Sequence, residues 1–416
     1  MENYLHRANN ILARIQELAC ISEDAHCITR TFGSPAFISG CSRVLSWMQE
    51  AGLDARIDNI GNVRGRWNSQ QPAAKTLVIA SHIDTVRNAG RFDGPLGVIM
   101  GIDLIHWLHQ EDIQLPFNIE LIAFSDEEGV RFHTTYLGSN TVAGSFDISL
   151  LQQTDDTGIT LRDAIKTIGG DPALLANDAI PAEEWLGYFE IHIEQGPVLY
   201  EEQLPVAIVQ SIAGQQRVRV KFNGISGHAG TVPMDMRQDA LCAAAEFILA
   251  TERYAAHQKE ALLATVGTLQ ITDAASNVIP GEVTCTLDIR SPEQTVLKKA
   301  RKSLKEIAAQ ICDERQLTAD WDIIQKTKPV ACDTALSHLL AQAVSAAGYN
   351  VKNLHSGAGH DAVTIAAVAP VCMLFVRCYK GISHQPLENV EVPDIAAAVK
   401  VADHFIHRLT EVYKKR

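Results

Sequence analysis

Apolar runs alternate with amphipathic stretches through the first half of the chain, a pattern that predicts an α/β sheet covered by helices on both faces. Leu77 to Ala80 reads as a buried strand that ends at Ser81 and His82, and Phe117 to Phe124 as another that ends at Ser125-Asp126-Glu127-Glu128. Between them, Val98 to Leu108 is an apolar helix. Upstream, Ser34 and Pro35 suit the N-cap and first position of a helix that runs through Trp47 to Ala51, with Gly52 closing it. Both strands finish on polar residues, and open α/β sheets bind ligands at the carboxyl ends of their strands.

From about Gly214 to about Lys326 the period changes. Val218, Val220 and Phe222 alternate with Arg217, Arg219 and Lys221, which predicts a strand buried on one face only. A helix from Gln238 to about Thr251 and strands from Leu263 to Ile271 and from Glu282 to Arg290 follow. Ser291, Pro292 and Gln294 read as a capping box that opens a helix lasting to about Cys312, and Trp321 to Ile324 supplies the last strand. The order βαββαβ is that of a ferredoxin-like sandwich. Beyond it a helix from Asp333 to Ala347, a strand from Val371 to Val376 and a helix from Asp394 to about Arg408 restore the α/β pattern. The expected architecture is a mixed-sheet α/β catalytic domain of residues 1–212 and 328–416, carrying an inserted ferredoxin-like (βαββαβ) lid of residues 213–327. A length of 416 residues fits two domains better than one core.

Composition narrows the class. An apolar fraction of 46% with mean hydropathy near zero describes a globular protein in water. The net charge of -13, uninterrupted by any basic cluster, argues against a nucleic-acid or anionic-membrane surface. No apolar run reaches the ~18 residues of a membrane span. The opening MENYLHRANNILARIQELAC lacks the apolar core and cleavage site of a secretory signal. Nine cysteines include no C-x-x-C pair, and Cys242, Cys285 and Cys372 fall in apolar runs. They read as buried free thiols of a cytoplasmic protein.

The candidate chemistry lies where strands end. His82 and Asp84 are two apart, so Asp84 can accept a hydrogen bond from the His82 ring nitrogen that is not on a metal. Asp93, beside Gly94, has room to bridge two cations through its two oxygens. Glu127 and Glu128 are adjacent acids after an apolar strand, costly to bury unless a cation neutralises them. One can ligate while the other acts as general base, its pKa raised by apolar surroundings. His192 sits in the apolar strand FEIHIEQGP, and His384 in the loop SHQP. Imidazole and carboxylate ligands without thiolate suit zinc, manganese or cobalt. The chain has no H-E-x-x-H helix. Each of these residues alone also reads as an ordinary strand-end, turn or solvated acid; it is their combination that points to metal. Arg290 shares a strand face with Thr284, Thr286 and Asp288, and pattern alone favours a surface pair with Asp288 over a bidentate grip on a substrate carboxylate. His228, in GISGHAGTVP, and Asn277, before a Pro-Gly turn, are weaker signals.

At these motifs the chain resembles the amidohydrolases of the two-metal aminoacylase and carboxypeptidase clan. Within it, SHIDTV, DGPLGV, DEEGVRF, HIEQGPVL, GHAGTVPM, SGAGHDA and GISHQP resemble the allantoate amidohydrolase and N-carbamoyl-L-amino-acid hydrolase group over essentially the whole chain. The resemblance implies that His82, Asp93, Glu128, His192 and His384 hold two divalent cations, manganese or zinc, with Asp93 bridging. It implies that Glu127 activates the attacking water and passes the proton to the leaving nitrogen; Asp84, through His82, is counted with it among the catalytic residues. Gln195 and Gly359 are implied as substrate contacts, and His228, Asn277 and Arg290 as lid groups. His228 and Asn277 would reach the partner's site in a homodimer formed through the lid, with His228 also stabilising the oxyanion. The substrate so implied is a small ureido acid. TFGSPAF, WMQEAGL, IAFSDEEGVRF, TTYLGS and MLFVRC are similar to plant-type allantoate deiminases, which implies a role in purine nitrogen catabolism. The alternatives are N-carbamoyl-L-amino acids, another ureido acid such as β-ureidopropionate, a dipeptide, or a non-catalytic binder.

Overall fold

Four apolar runs form adjacent parallel strands, in the spatial order Asn118–Phe124, Thr76–His82, Trp185–Ile193 and Val371–Val376. Every residue of these strands is buried, as a strand covered on both faces demands. Antiparallel strands widen the sheet on either side: Val63–Trp67 and Asp54–Ile57 beyond the first, Val206–Ile212 beyond the last. The sheet is therefore mixed, as the alternation of elements in the sequence predicts. Because all four central strands run the same way, their carboxyl ends open on one edge.

The computed structural model describes residues 2–414. They divide into two compact units, one of residues 2–210, 332–354 and 359–414, the other of Ser211–Ala331 and His355–Ala358. In the larger unit the helix Pro35–Glu50 starts and stops where its signals say. The Ser34 hydroxyl accepts the Phe37 N–H at 3.0 Å, Pro35 takes the first turn, and Gly52 at φ +87° lies just beyond the end. The helix Pro95–Gln110 is buried on nearly all sides. It lies so close to the sheet that a Cβ on Gly97 would stand 2.1 Å from the Ile191 carbonyl oxygen, and one on Gly101 2.3 Å from Leu121. The last helix, Val392–Lys414, is longer than expected at both ends, and its apolar stripe continues through Leu409.

The smaller unit has a four-stranded antiparallel sheet in the order Thr318–Lys326, Gly214–Asn223, Glu282–Ser291, Leu263–Ile271. Burial alternates along its two central strands. Val218, Val220, Phe222, Val283, Leu287 and Ile289 pack with Phe247 and Leu297 of the helices Ala240–Ala256 and Gln294–Arg315. The capping box expected of Ser291, Pro292 and Gln294 does not form. Ser291 stays in its strand, paired with Gly214, and its hydroxyl accepts the Glu293 N–H at 3.1 Å. Strand pairing holds Ser291, so the helix begins only at Gln294, after Glu293 at the N-cap. Among the described residues no helix is long and apolar enough to cross a membrane.

The Gly97 contact yields a direct test of this packing. Gly97→Ala is expected to lower stability by about 1–3 kcal/mol, the usual cost of overpacking a tight core, read from urea unfolding; an unchanged midpoint would mean that helix and strand are not in close contact.

Candidate active site

The shared carboxyl edge of the parallel strands collects the chemistry. His82 is the last residue of its strand, and Ala80 pairs with Glu190 in the neighbouring strand, which brings His192 alongside. The two imidazoles stack with centroids 5.9 Å apart. Asp93 arrives on the connection into the helix Pro95–Gln110. Gly94 follows at φ +83°, where a Cβ would stand 2.6 Å from the His82 ring, so only glycine lets the chain carry Asp93 this close. Glu127 and Glu128 leave the end of Asn118–Phe124, and His384 sits at φ +58° on the loop after Val371–Val376.

These side chains converge on Asp93. Its Oδ1 lies 3.2 Å from His192 Nε2 and 3.8 Å from His82 Nε2. Its Oδ2 faces the other way, 3.0 Å from His384 Nε2, which is itself 3.4 Å from Glu128 Oε1. His82, Asp93 and His192 form one set of donors within 4.8 Å of one another, and Asp93, Glu128 and His384 form a second. Asp93 belongs to both. A further grouping joins His82 with Glu127 and Glu128.

The donor set fits divalent cations. His82 Nδ1 is 3.1 Å from the Asp84 carbonyl oxygen, and His192 Nδ1 is 3.0 Å from that of Ile193. A carbonyl only accepts, so each Nδ1 carries a proton, and in the neutral ring the Nε2 lone pair is left toward Asp93. Imidazoles so oriented, with carboxylates and no thiolate, suit zinc or manganese. Protons compete for the same atoms: the hydrogen bond to Asp93, with Glu128 close by, pushes His384 up to about 9. Cation binding at such a site displaces those protons.

The acids are held from behind. Asp84 accepts the main-chain N–H groups of Glu127 at 3.0 Å and Glu128 at 3.1 Å. Its carboxylate is 3.4 Å from His82 Nδ1, farther than its own carbonyl. The bond expected between the Asp84 carboxylate and His82 is thus secondary; fixing the backbone of the acidic pair is the stronger role. Burial pushes Glu127 well above the usual carboxylate range; nearby His82 opposes this, while Glu128, Asp361 and Asp84 add to it. Burial, then Asp93, raises Glu128 to about 7. Two adjacent acids, Glu127 buried and Glu128 largely so, lifted this far are the condition that a cation relieves.

The remaining predicted residues divide between the two units. Gln195 donates from Nε2 to Asp93 Oδ2 at 2.9 Å and to Ser383 Oγ at 3.3 Å, while its buried Oε1 has no partner among the described residues. Gly359 leaves space for Tyr136: a Cβ there would stand 2.0 Å from the hydroxyl. In the smaller unit His228 and Asn277 are neighbours, since His228 pairs with Val278 and the Ala229 N–H bonds the Asn277 carbonyl at 2.9 Å. His228 Nδ1 accepts the Gly230 N–H at 3.1 Å, which leaves the proton of the neutral ring on Nε2. Arg290 takes the surface-pair form, donating to Asp288 at 3.0 and 3.2 Å and to the Gly357 carbonyl at 2.8 Å.

Among the buried acids that escaped the sequence reading are Glu190 and Glu388. Glu190 accepts the Tyr188 hydroxyl at 2.9 Å behind His192. Its signal was the alternation of Glu190, His192 and Glu194 with Phe189, Ile191 and Ile193. Glu388, fully buried, accepts the N–H groups of Phe92 at 2.7 Å and Asp93 at 3.1 Å, and carries no comparable signal.

Known proteins are similar to this chain over most of its length. An allantoate deiminase of Arabidopsis thaliana is 40% identical over 95% of this chain and 81% of its own length. An N-carbamoyl-L-amino-acid amidohydrolase of Pseudomonas sp. (strain NS671) is 38% identical over 86% of this chain and 87% of its own. The crystal structure of a hydantoinase/carbamoylase family amidase from Burkholderia multivorans superposes with a TM-score of 0.90 at 32% identity, covering 96% of this chain and 97% of that one. The model of Peptidase family M20/M25/M40 matches residues 78–408, a span that includes every predicted ligand from His82 to His384, and the chain belongs to that family.

Proposed function

We propose that the chain is a metal-dependent amidohydrolase that cleaves a ureido C–N bond of allantoate, giving ureidoglycine, carbon dioxide and ammonia. The observation that carries this reading is the likeness to a plant allantoate deiminase over nearly the whole chain. The bacterial N-carbamoyl-L-amino-acid amidohydrolase, almost as similar, favours a second reading in which the substrate is an N-carbamoyl-L-amino acid. Both substrates present a ureido group near a carboxylate, and the chemistry at the reacting carbon is the same.

Two divalent cations, manganese or zinc, held by His82, Asp93 and His192 and by Asp93, Glu128 and His384, would polarise the ureido carbonyl and make water acidic enough to attack. Glu127 takes the proton from that water and hands it to the terminal nitrogen. The carbon–nitrogen bond then breaks, ammonia leaves, and the carbamate on the remaining nitrogen releases carbon dioxide. Asp84 keeps Glu127 in position through its main-chain N–H. Gln195, with a buried amide oxygen to spare, and Gly359 are assigned to the substrate. His228, protonated on Nε2, is assigned to the developing oxyanion and Asn277 to the substrate. Arg290 is assigned to the substrate carboxylate, which it would grip by exchanging its bonds with Asp288. The smaller unit serves in this reading as lid and homodimer interface. The nine cysteines are free thiols, with Cys20 and Cys242 exposed rather than buried, and free thiols support a reducing, cytoplasmic setting.

The substrate is decided by ammonia release from allantoate and from a panel of N-carbamoyl-L-amino acids, after chelation and restoration of manganese or zinc. Allantoate is expected to give the highest kcat/KM; a preference for any N-carbamoyl-L-amino acid would transfer the assignment to the second reading. Glu127→Gln should keep its cations while kcat falls about 10²–10⁴-fold, the usual contribution of a positioned base. Undiminished turnover in that variant would remove Glu127 from the mechanism. Asp84→Ala leaves two buried N–H groups without an acceptor, a loss of about 1–3 kcal/mol, and should weaken cation affinity about 10–100-fold. Equilibrium dialysis and urea unfolding read the two effects, and wild-type values in both would show that Asp84 does not hold the acidic pair.

A further inference from the structure

The ligands on the His384 side are not held as the others are. His82 and His192 lie within buried strands, and Asp93 abuts the first turn of a buried helix. His384 instead occupies a left-handed loop conformation with its side chain 49% exposed. Four residues on, Glu388 is fully buried. One oxygen of its carboxylate accepts the Phe92 N–H at 2.7 Å and the Asp93 N–H at 3.1 Å; the other accepts the Ser383 hydroxyl at 3.0 Å. Gly90 makes room for it, since a Cβ there would stand 2.1 Å from the Glu388 carboxyl carbon. The segment 90–93 thus wraps a carboxylate that belongs to the loop of His384.

We propose that Glu388 is a positioning residue that docks the His384 loop on the main chain of Asp93 and so keeps the second donor set, Asp93, Glu128 and His384, assembled. The proposal rests on the two-cation reading above. Ser383 couples docking to binding. Its Oγ lies 3.0 Å from both Asp93 Oδ2 and Glu388, and one hydroxyl proton can serve only one of them. Once a cation engages Asp93 Oδ2, that proton is left to Glu388, so loop docking and cation binding reinforce each other. The first set, His82, Asp93 and His192, takes no ligand from this loop.

The test is titration of metal-free wild type, Glu388→Ala, Glu388→Gln and Ser383→Ala with manganese chloride by calorimetry, with the bound metal counted after dialysis. Wild type is expected to bind two ions, and Glu388→Ala to keep one while the other weakens about 10–100-fold, as outer-shell losses do. Glu388→Gln should restore the second ion only in part: its amide oxygen can accept the two N–H groups, but its NH2 cannot accept the proton that Ser383 must move off Asp93. Ser383→Ala, which leaves the Phe92 and Asp93 bonds intact, should weaken the same ion by less, and it decides the matter if Glu388→Ala does not fold. Two ions bound at wild-type affinity by Glu388→Ala, or failing that by Ser383→Ala, would overturn the proposal. So would a Glu388→Gln variant as impaired as Glu388→Ala. A wild-type stoichiometry of one would instead overturn the two-cation reading, and the proposal with it.

Discussion

One buried carboxylate has to look two ways. Asp93 turns one oxygen to His192 and His82 and the other to His384, and no other predicted ligand stands in both donor sets. A side chain with two demands on it is useful only if its backbone does not move. Gly94 lets that backbone approach His82, the helix Pro95–Gln110 anchors the next residues, and Glu388 accepts the Asp93 N–H. The carboxyl edge of the sheet is organised around this residue.

Around it the chain buries acids at a density that would be ruinous without compensation. Asp84, Asp93, Glu127, Glu190 and Glu388 are all buried. Burial of an isolated carboxylate is expensive, and these are made tolerable in two different ways. Asp84 and Glu388 spend their lone pairs on main-chain N–H groups. Asp93, Glu127 and Glu128 face imidazoles and one another, and their compensation is electrostatic. The first kind builds the scaffold, and the second needs cations or protons. Stability should therefore rise when metal binds the folded state alone.

Much of this was legible in the chain because each ligand sits beside a local signal. His82 and the Glu127-Glu128 pair end apolar strands, Asp93 precedes a glycine and a helix, and His192 interrupts an apolar run. What stayed hidden has a common cause. Glu388 binds main-chain N–H groups 295 and 296 positions away, and main-chain donors leave no residue type to read. Asp84 invited a side-chain reading through its spacing from His82, yet its bonds run to the backbone of Glu127 and Glu128. The helix expected to open at Ser291 starts later because the pairing of Ser291 with Gly214 outweighs a local capping pattern. Arg290 followed the plainer of its two readings and joined Asp288.

The claim beneath all of this is that Asp93 is shared between two cations. Diffraction from crystals grown with manganese, measured for anomalous scattering at the manganese edge, tests it most directly. Two peaks about 3.5–4 Å apart are expected, one on each carboxylate oxygen of Asp93, with His82 and His192 at the first and Glu128 and His384 at the second. A single peak, or two that leave either oxygen of Asp93 without a metal, would contradict it.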